Sequence, residues 1–169
     1  YLSGFERYDA DGVEVFEKMK EICAEYGYEA ISPLDHAPGV MDTDSDNPYM
    51  KAMNLFDRFQ QHVRNCDIII ANLNDYRGYE INNDVAFECG MGFELGKKLY
   101  GYMDNTDKLT NRIPSLGADR EYRDQTGSNV EDFDYPANLM FGSSMKIFEG
   151  KFESIIKKVI EDVQSARNN

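Results

Sequence analysis

The chain alternates between two hydrophobic rhythms. From Asp11 the apolar residues Val13, Phe16, Met19, Ile22 and Tyr26 recur every three or four positions, the period that gathers them on one face of a helix. Gly27 closes that helix, and Tyr28 to Ser32 reads as a strand stopped by Pro33, because proline lacks the N–H a ladder needs. Ahead of both, Tyr1-Leu2-Ser3 reads as a strand cut short and ending in a tight turn at Gly4. Pro33 to Pro48 (PLDHAPGVMDTDSDNP) is rich in Asp, Pro and Gly and predicts a long loop, a feature that inside a compact domain usually serves as a lid or binding loop.

A second helix is expected from Pro48, a favoured first position, to Asn65. Within Asp67 to Leu73 the unbroken apolar run Ile68 to Ala71 predicts a strand buried on both faces, as in a parallel sheet with helices on each side. A helix from Asn83 to Lys97, a strand from Lys98 to Met103 and a polar, irregular stretch from Asp104 to Asp134 follow. After Glu149 a terminal helix carries Phe152, Ile155, Ile156, Val159 and Val163 on one stripe. This alternation predicts a doubly wound, flavodoxin-like (Rossmann-like) α/β fold with about five parallel strands flanked by helices. It is read as one domain over residues 1–169.

Composition narrows the partners. Hydrophobic residues make up 41% of the chain, enough for a folded core and against disorder. No apolar run approaches the roughly 20 residues of a membrane helix, and no leader pattern is present, so a cytoplasmic location is expected. The net charge of −13 repels phosphate backbones and anionic lipid, which disfavours nucleic-acid polymers and membranes and favours a small neutral molecule. Cys23, Cys66 and Cys89 are an odd set without metal-ligand spacing, so they read as buried thiols. His36 and His62 have no clustered ligands, and no metal site is expected.

One carboxylate stands out. In a helix beginning near Asn83, residues Val85, Glu88, Gly92 and Leu95 share the apolar face, which turns Glu88 toward the sheet, where an unused carboxylate is costly. Placed in the helix's first turn after a strand and its loop, it would lie by the crevice where open α/β sheets bind ligands. The alternative is a carboxylate favoured only by the helix dipole. Gly90, Gly92 and Gly96 lie within the expected helix and not on a strand-to-helix turn, so they predict close packing and not a dinucleotide cradle. Gly4 stands where a ligand-approaching turn belongs. No Gly-rich loop ending in Lys-Ser/Thr is present, so triphosphate hydrolysis has no support.

Four segments, YLSG, ANLNDYRGYE, VAFECGMGFELGKKLYGY and YPANLMFGSSMKIFEGKFE, resemble the nucleoside 2-deoxyribosyltransferase family in matching order. The resemblance implies that Glu88 is the nucleophile, that Tyr1 orients it, and that Asn138 and Met140 reach into a neighbouring subunit's site, where the asparagine binds the sugar's 5′-hydroxyl. It further implies substrate contacts at Gly4, Phe5, Asp35, Asn82 and Asp84, substrates that are 2′-deoxynucleosides and free nucleobases, no metal or organic cofactor, and a homo-oligomer with shared sites. Two positions depart from the family pattern. Asn82 stands where the family has a sugar-contacting aspartate, and Phe59, with Asp57 nearby, stands where it has another aspartate, on the helix before the buried strand. Two other readings remain open. One is a 2′-deoxynucleoside 5′-monophosphate N-glycosidase, with Ser3, Arg7, Ser143 and Ser144 available for a phosphate. The other is a non-catalytic flavodoxin-like binding module.

Overall fold

A computed structural model describes residues 1–37, 46–116 and 122–167. Four parallel strands lie side by side in chain order: β1 (Leu2–Ser3), β2 (Ile68–Asn72), β3 (Lys98–Met103) and β4 (Lys146–Glu149). The helices are α1 (Gly12–Glu25), α2 (Pro48–Asn65), α3 (Asn83–Glu94), α4 (Leu109–Arg112), α5 (Leu139–Ser144) and α6 (Phe152–Arg167), with a short 3-10 turn at Phe5–Tyr8. Alternation along the strands splits the core into two layers. Leu2, Ile70, Tyr100 and Tyr102 pack against Phe16 and Met19 of α1 and Ile155 and Val159 of α6. Tyr1, Ile69, Ala71, Leu99 and Met103 pack on the opposite face against Val63 of α2 and Val85 and Cys89 of α3. All three cysteines are free and buried.

Among the described residues the sheet has four strands and not five. Residues 28–32 run beside β1, and the Ile31 carbonyl accepts a hydrogen bond from the Leu2 N–H at 2.8 Å, but they form no strand. Their partner is too short: β1 is two residues long before Gly4 leads into the 3-10 turn. With this segment counted beside β1, the order is that of the flavodoxin arrangement, whose ligand crevice opens where the chain reverses direction across the sheet. β4, which the hydrophobic pattern does not announce, has only Ile147 and Phe148 between two exposed charged ends.

Helix ends follow local chemistry. α3 stops at Glu94 and not at Lys97, because Gly96 adopts φ 68°. Its N–H reaches the Phe93 carbonyl (3.0 Å) while the Lys97 N–H reaches that of Gly92 (2.9 Å), a paired closure that needs a left-handed residue. Gly92 alone meets the packing expectation: a Cβ there would lie 2.4 Å from Ile69 Cδ1, whereas Gly90 has open space around it. α2 starts at Pro48 behind Asn47, whose side chain accepts from the Tyr49 N–H at 3.0 Å. Of the predicted loop between Pro33 and Pro48, residues 38–45 lie outside the described residues. Among the described residues no helix is long and apolar enough to cross a membrane.

Candidate active site

Glu88 is the sixth residue of α3, so it sits in the second turn and not the first. Asn82 fixes where that helix begins, its Oδ1 accepting from the N–H groups of Asp84 (2.9 Å) and Val85 (3.4 Å). The resulting phase buries Val85, Glu88, Cys89 and Gly92, and Glu88 keeps only 6% of its surface exposed. Both carboxylate oxygens are served. Tyr1 Oη donates to Oε1 at 2.8 Å, and Ser3 Oγ donates to Oε2 at 2.5 Å.

Burial is the largest influence on Glu88 and pushes its pKa up; the bonds from Ser3 and Tyr1 and the positive charge of Arg7 pull it back, while Asp84 pushes the other way. Burial also holds the Tyr1 phenol far above its ordinary value, so it remains a donor. The Tyr1 ring stacks on His62 at 5.8 Å, and His62 Nε2 lies 3.1 Å from the Asp35 carbonyl oxygen. Burial lowers the His62 pKa, keeping this ring neutral.

Glu88 opens onto a cavity of about 350 Å³ walled by Phe56 and Phe59 of α2 and Phe87 and Met91 of α3, with Asp84 beside it. Apolar walls with a few convergent polar groups suit a flat, mostly neutral ligand. Arg7 stacks on the Phe59 ring at 4.5 Å and is ion-paired with Asp84, which also accepts from Tyr8 Oη at 2.5 Å. The guanidinium is thereby committed to a carboxylate at the cavity's edge.

Of the residues singled out in the sequence, the structure brings Tyr1, Asp84 and Glu88 together here, with Asn82 holding the helix start. The others lie elsewhere. Gly4 faces the α1/α6 side, where a Cβ would lie 1.9 Å from Glu6 Oε2. Phe5 packs on Tyr76 (5.2 Å) and lines a polar cavity with Asn74, Asp75 and Arg112. Asp35 accepts from the Ser32 N–H (2.8 Å) and pairs with Lys20. Asn138 caps α5, accepting from the N–H groups of Met140 (3.1 Å) and Phe141 (3.4 Å). Asn138 and Met140 line a second cavity, of about 450 Å³, together with Ala86, Gly90 and Phe93 of α3. By helical spacing those α3 positions occupy the flank opposite Asp84, Phe87 and Met91.

Sequence reasoning missed the contact between Ser3 and Glu88, although Ser3 stands two residues after Tyr1 and so on the same face of an extended chain. It also missed the ring wall of Phe56, Phe59 and Phe87, which exists only because α2 docks beside α3. Among the described residues no group of three or more His, Cys, Asp or Glu could hold a metal ion.

The nucleoside 2-deoxyribosyltransferase family model matches residues 1–140, a span that contains Tyr1, Glu88, Asn138 and Met140. The chain belongs to that family. Membership makes it a pentosyltransferase and brings nucleosides and nucleobases as its substrates. Among solved structures, a 2-desoxiribosyltransferase from Leishmania mexicana is similar with 24% identity and a TM-score of 0.70 over 95% of each chain. A 2-deoxyribosyltransferase from the psychrotolerant bacterium Bacillus psychrosaccharolyticus is similar with 15% identity and a TM-score of 0.53, over 91% of this chain and 88% of that one. At these identities the likeness is one of fold. No curated protein sequence matches the chain.

Proposed function

We propose that this deoxyribosyltransferase moves 2-deoxyribose between nucleobases by retaining double displacement, with Glu88 as the nucleophile. The observation that carries the reading is a buried carboxylate with a donor on each oxygen, opening onto a ring-walled cavity. A Glu88 oxygen bonds to C1′ as the C1′–N bond breaks, and the base leaves with the electron pair and takes up a proton. A ring nitrogen of a second base then bonds to C1′, loses its proton, and displaces the carboxylate, so configuration is retained. The missing 2′-hydroxyl eases the oxocarbenium-like transition state that an electron-withdrawing oxygen would destabilise. Phe56, Phe59 and Phe87 supply faces for a planar base.

Asn138 and Met140 belong, on this reading, to the site of a neighbouring copy. Met140 is 71% exposed and Phe93 60%, an apolar surface of the kind that marks an interface. The three unpaired thiols fit a reducing cytoplasm. The monophosphate alternative is weaker, because Arg7, the cation nearest the carboxylate, is already paired with Asp84 and Ser143 and Ser144 line the other cavity.

The test incubates the protein with deoxyinosine, with and without adenine. Deoxyadenosine and hypoxanthine should appear together, at a rate well above that of simple hydrolysis. Base release without transfer, or a faster reaction of deoxyinosine monophosphate, would overturn the proposal.

A further inference from the structure

Glu88 is held from one stretch of extended backbone by two different donors. Tyr1 and Ser3 stand two residues apart, so both side chains leave the same face of the sheet. The long phenol reaches Oε1 and the short serine reaches Oε2. Ser3 is 2% exposed, so its bond does not compete with bulk water. One donor fixes where a carboxylate sits and leaves it free to turn about its last bond. A donor on the other oxygen fixes its plane.

We infer that Ser3 is a positioning residue of the transfer reaction, setting the plane of the Glu88 carboxylate and stabilising its charge when the sugar leaves it. The inference rests on the reading of Glu88 as nucleophile. In the first half-reaction a Glu88 oxygen bonds to C1′ while the C1′–N pair departs with the base. In the second, the incoming nitrogen bonds to C1′ and the C1′–O pair returns to Glu88. Negative charge then reappears on a buried group, where a fixed O–H dipole stabilises it without reorganisation. The same dipole makes the carboxylate a duller nucleophile in the first step, so removing it slows the second step relative to the first. Arg7 adds charge from nearby but donates to Asp84 and Tyr8, leaving Ser3 as the direct donor to the second oxygen.

The test is Ser3→Ala in the full chain, following the Glu88 carboxyl carbon by NMR titration and assigning it from its absence in Glu88→Gln. The pH profile of kcat/KM is measured beside it. Both the titration and the acid limb should move up by about one to two pH units, the worth of a hydrogen bond to a charged acceptor. Rapid mixing should reveal a burst of released base followed by slower turnover, with the KM for the donor nucleoside falling along with kcat. Ser3→Cys, similar in size with a weak S–H donor, should shift the titration less and in the same direction, and it serves if the alanine variant does not fold. A titration unmoved in the variants that fold overturns the inference even where activity falls, since that pattern means lost packing. An active Glu88→Gln enzyme would instead overturn the nucleophile reading beneath it, whereas an inactive Glu88→Gln with an unmoved Ser3→Ala titration removes Ser3 alone.

Discussion

The cavity on one flank of α3 has rings for walls and a carboxylate at its base, whereas the cavity on the other flank holds an asparagine and an exposed methionine and no acid among its described lining. One helix stands between them. Its buried face carries Glu88 toward β1, where two hydroxyls meet it, and its outer flank carries Phe93 into the open beside Met140. On the proposed mechanism the first cavity breaks the glycosidic bond, and beside Asp84 its lining offers only the amides of Gln60 and Asn83 with which to hold a sugar. The second has an amide and two serine hydroxyls, and no carboxylate among its described lining. In one chain the two cannot serve the same small molecule, because α3 separates them. Two copies, each lending its second cavity to the other's first, would remove that difficulty. On the proposed reading, a catalytic group at Glu88 and a recognition group at Asn138 face apart in one subunit, and only a second copy would bring them into one site.

The largest expected effect falls on the first cavity alone. Glu88→Gln keeps an oxygen to accept one of its two donors but cannot form the ester, so transfer should drop by roughly ten-thousand-fold or more, the scale of losing a nucleophile. Steady-state rates on deoxyinosine plus adenine measure it, and activity within tenfold of wild type would remove Glu88 from the mechanism. Next in size is a mixing experiment that joins the two cavities. Glu88→Ala chains, nearly inactive, and Asn138→Ala chains, roughly threefold to tenfold slower than wild type, should together regain about a quarter of wild-type sites when dissociated and reassembled, by random pairing across a two-fold interface. No recovery in verified mixed oligomers would show that the second cavity does not complete a neighbour's first.

How much of this was legible in the residues themselves varies by element. The bounds of β3 follow from its run of apolar and aromatic residues between Lys97 and Asp104, and those of α2 from Pro48 at its start and Asp67 beyond its end. The burial of Glu88 follows from its spacing with Val85 and Gly92, whose missing Cβ lets α3 press onto Ile69. Gly96 misled, because a glycine in register with a helix reads the same whether it packs or caps, and only its φ decides. Residues 28–32 misled because strand formation depends on the edge they meet, and β1 offers two residues. The ring wall and the Ser3 bond were beyond periodicity, since both arise between elements far apart in the chain. The family resemblance supplied Tyr1 and Asn138, which no local pattern marks.

A smaller effect separates two jobs of one side chain. Asn138 uses its Oδ1 to cap α5, so on the proposed reading its Nδ2 is the group that would meet a 5′-hydroxyl. Asn138→Asp keeps a capping oxygen and should leave the melting temperature near wild type, while Asn138→Ala loses the cap at about 0.5–2 kcal/mol. Both lack the amide donor, so both should lose roughly threefold to tenfold in kcat/KM for a hydrogen bond of ordinary net worth. Activity that follows the melting temperature, with the aspartate variant fully active, would make Asn138 a helix cap and nothing more.

The last and smallest effect uses pH to tell the cavities apart. Burial raises Glu88 above the ordinary glutamate value of 4.5 even with both donors in place, so folding takes up a proton between that value and the folded one. The stability that belongs to its neutral form is therefore fully present below about pH 4.5 and is lost as the pH rises through the folded value. Glu88→Gln is neutral throughout. Its melting temperature relative to wild type should climb across that window and then level off, whatever its fixed offset. Met140→Ala, in the second cavity, removes no titrating group and should differ from wild type by a constant amount over the same range. Melting curves from about pH 4 to about pH 8 measure both differences. A flat Glu88→Gln difference would mean that the two hydroxyls fully offset the burial of the carboxylate, and the contrast between an acidic cavity and a neutral one would then rest on activity alone.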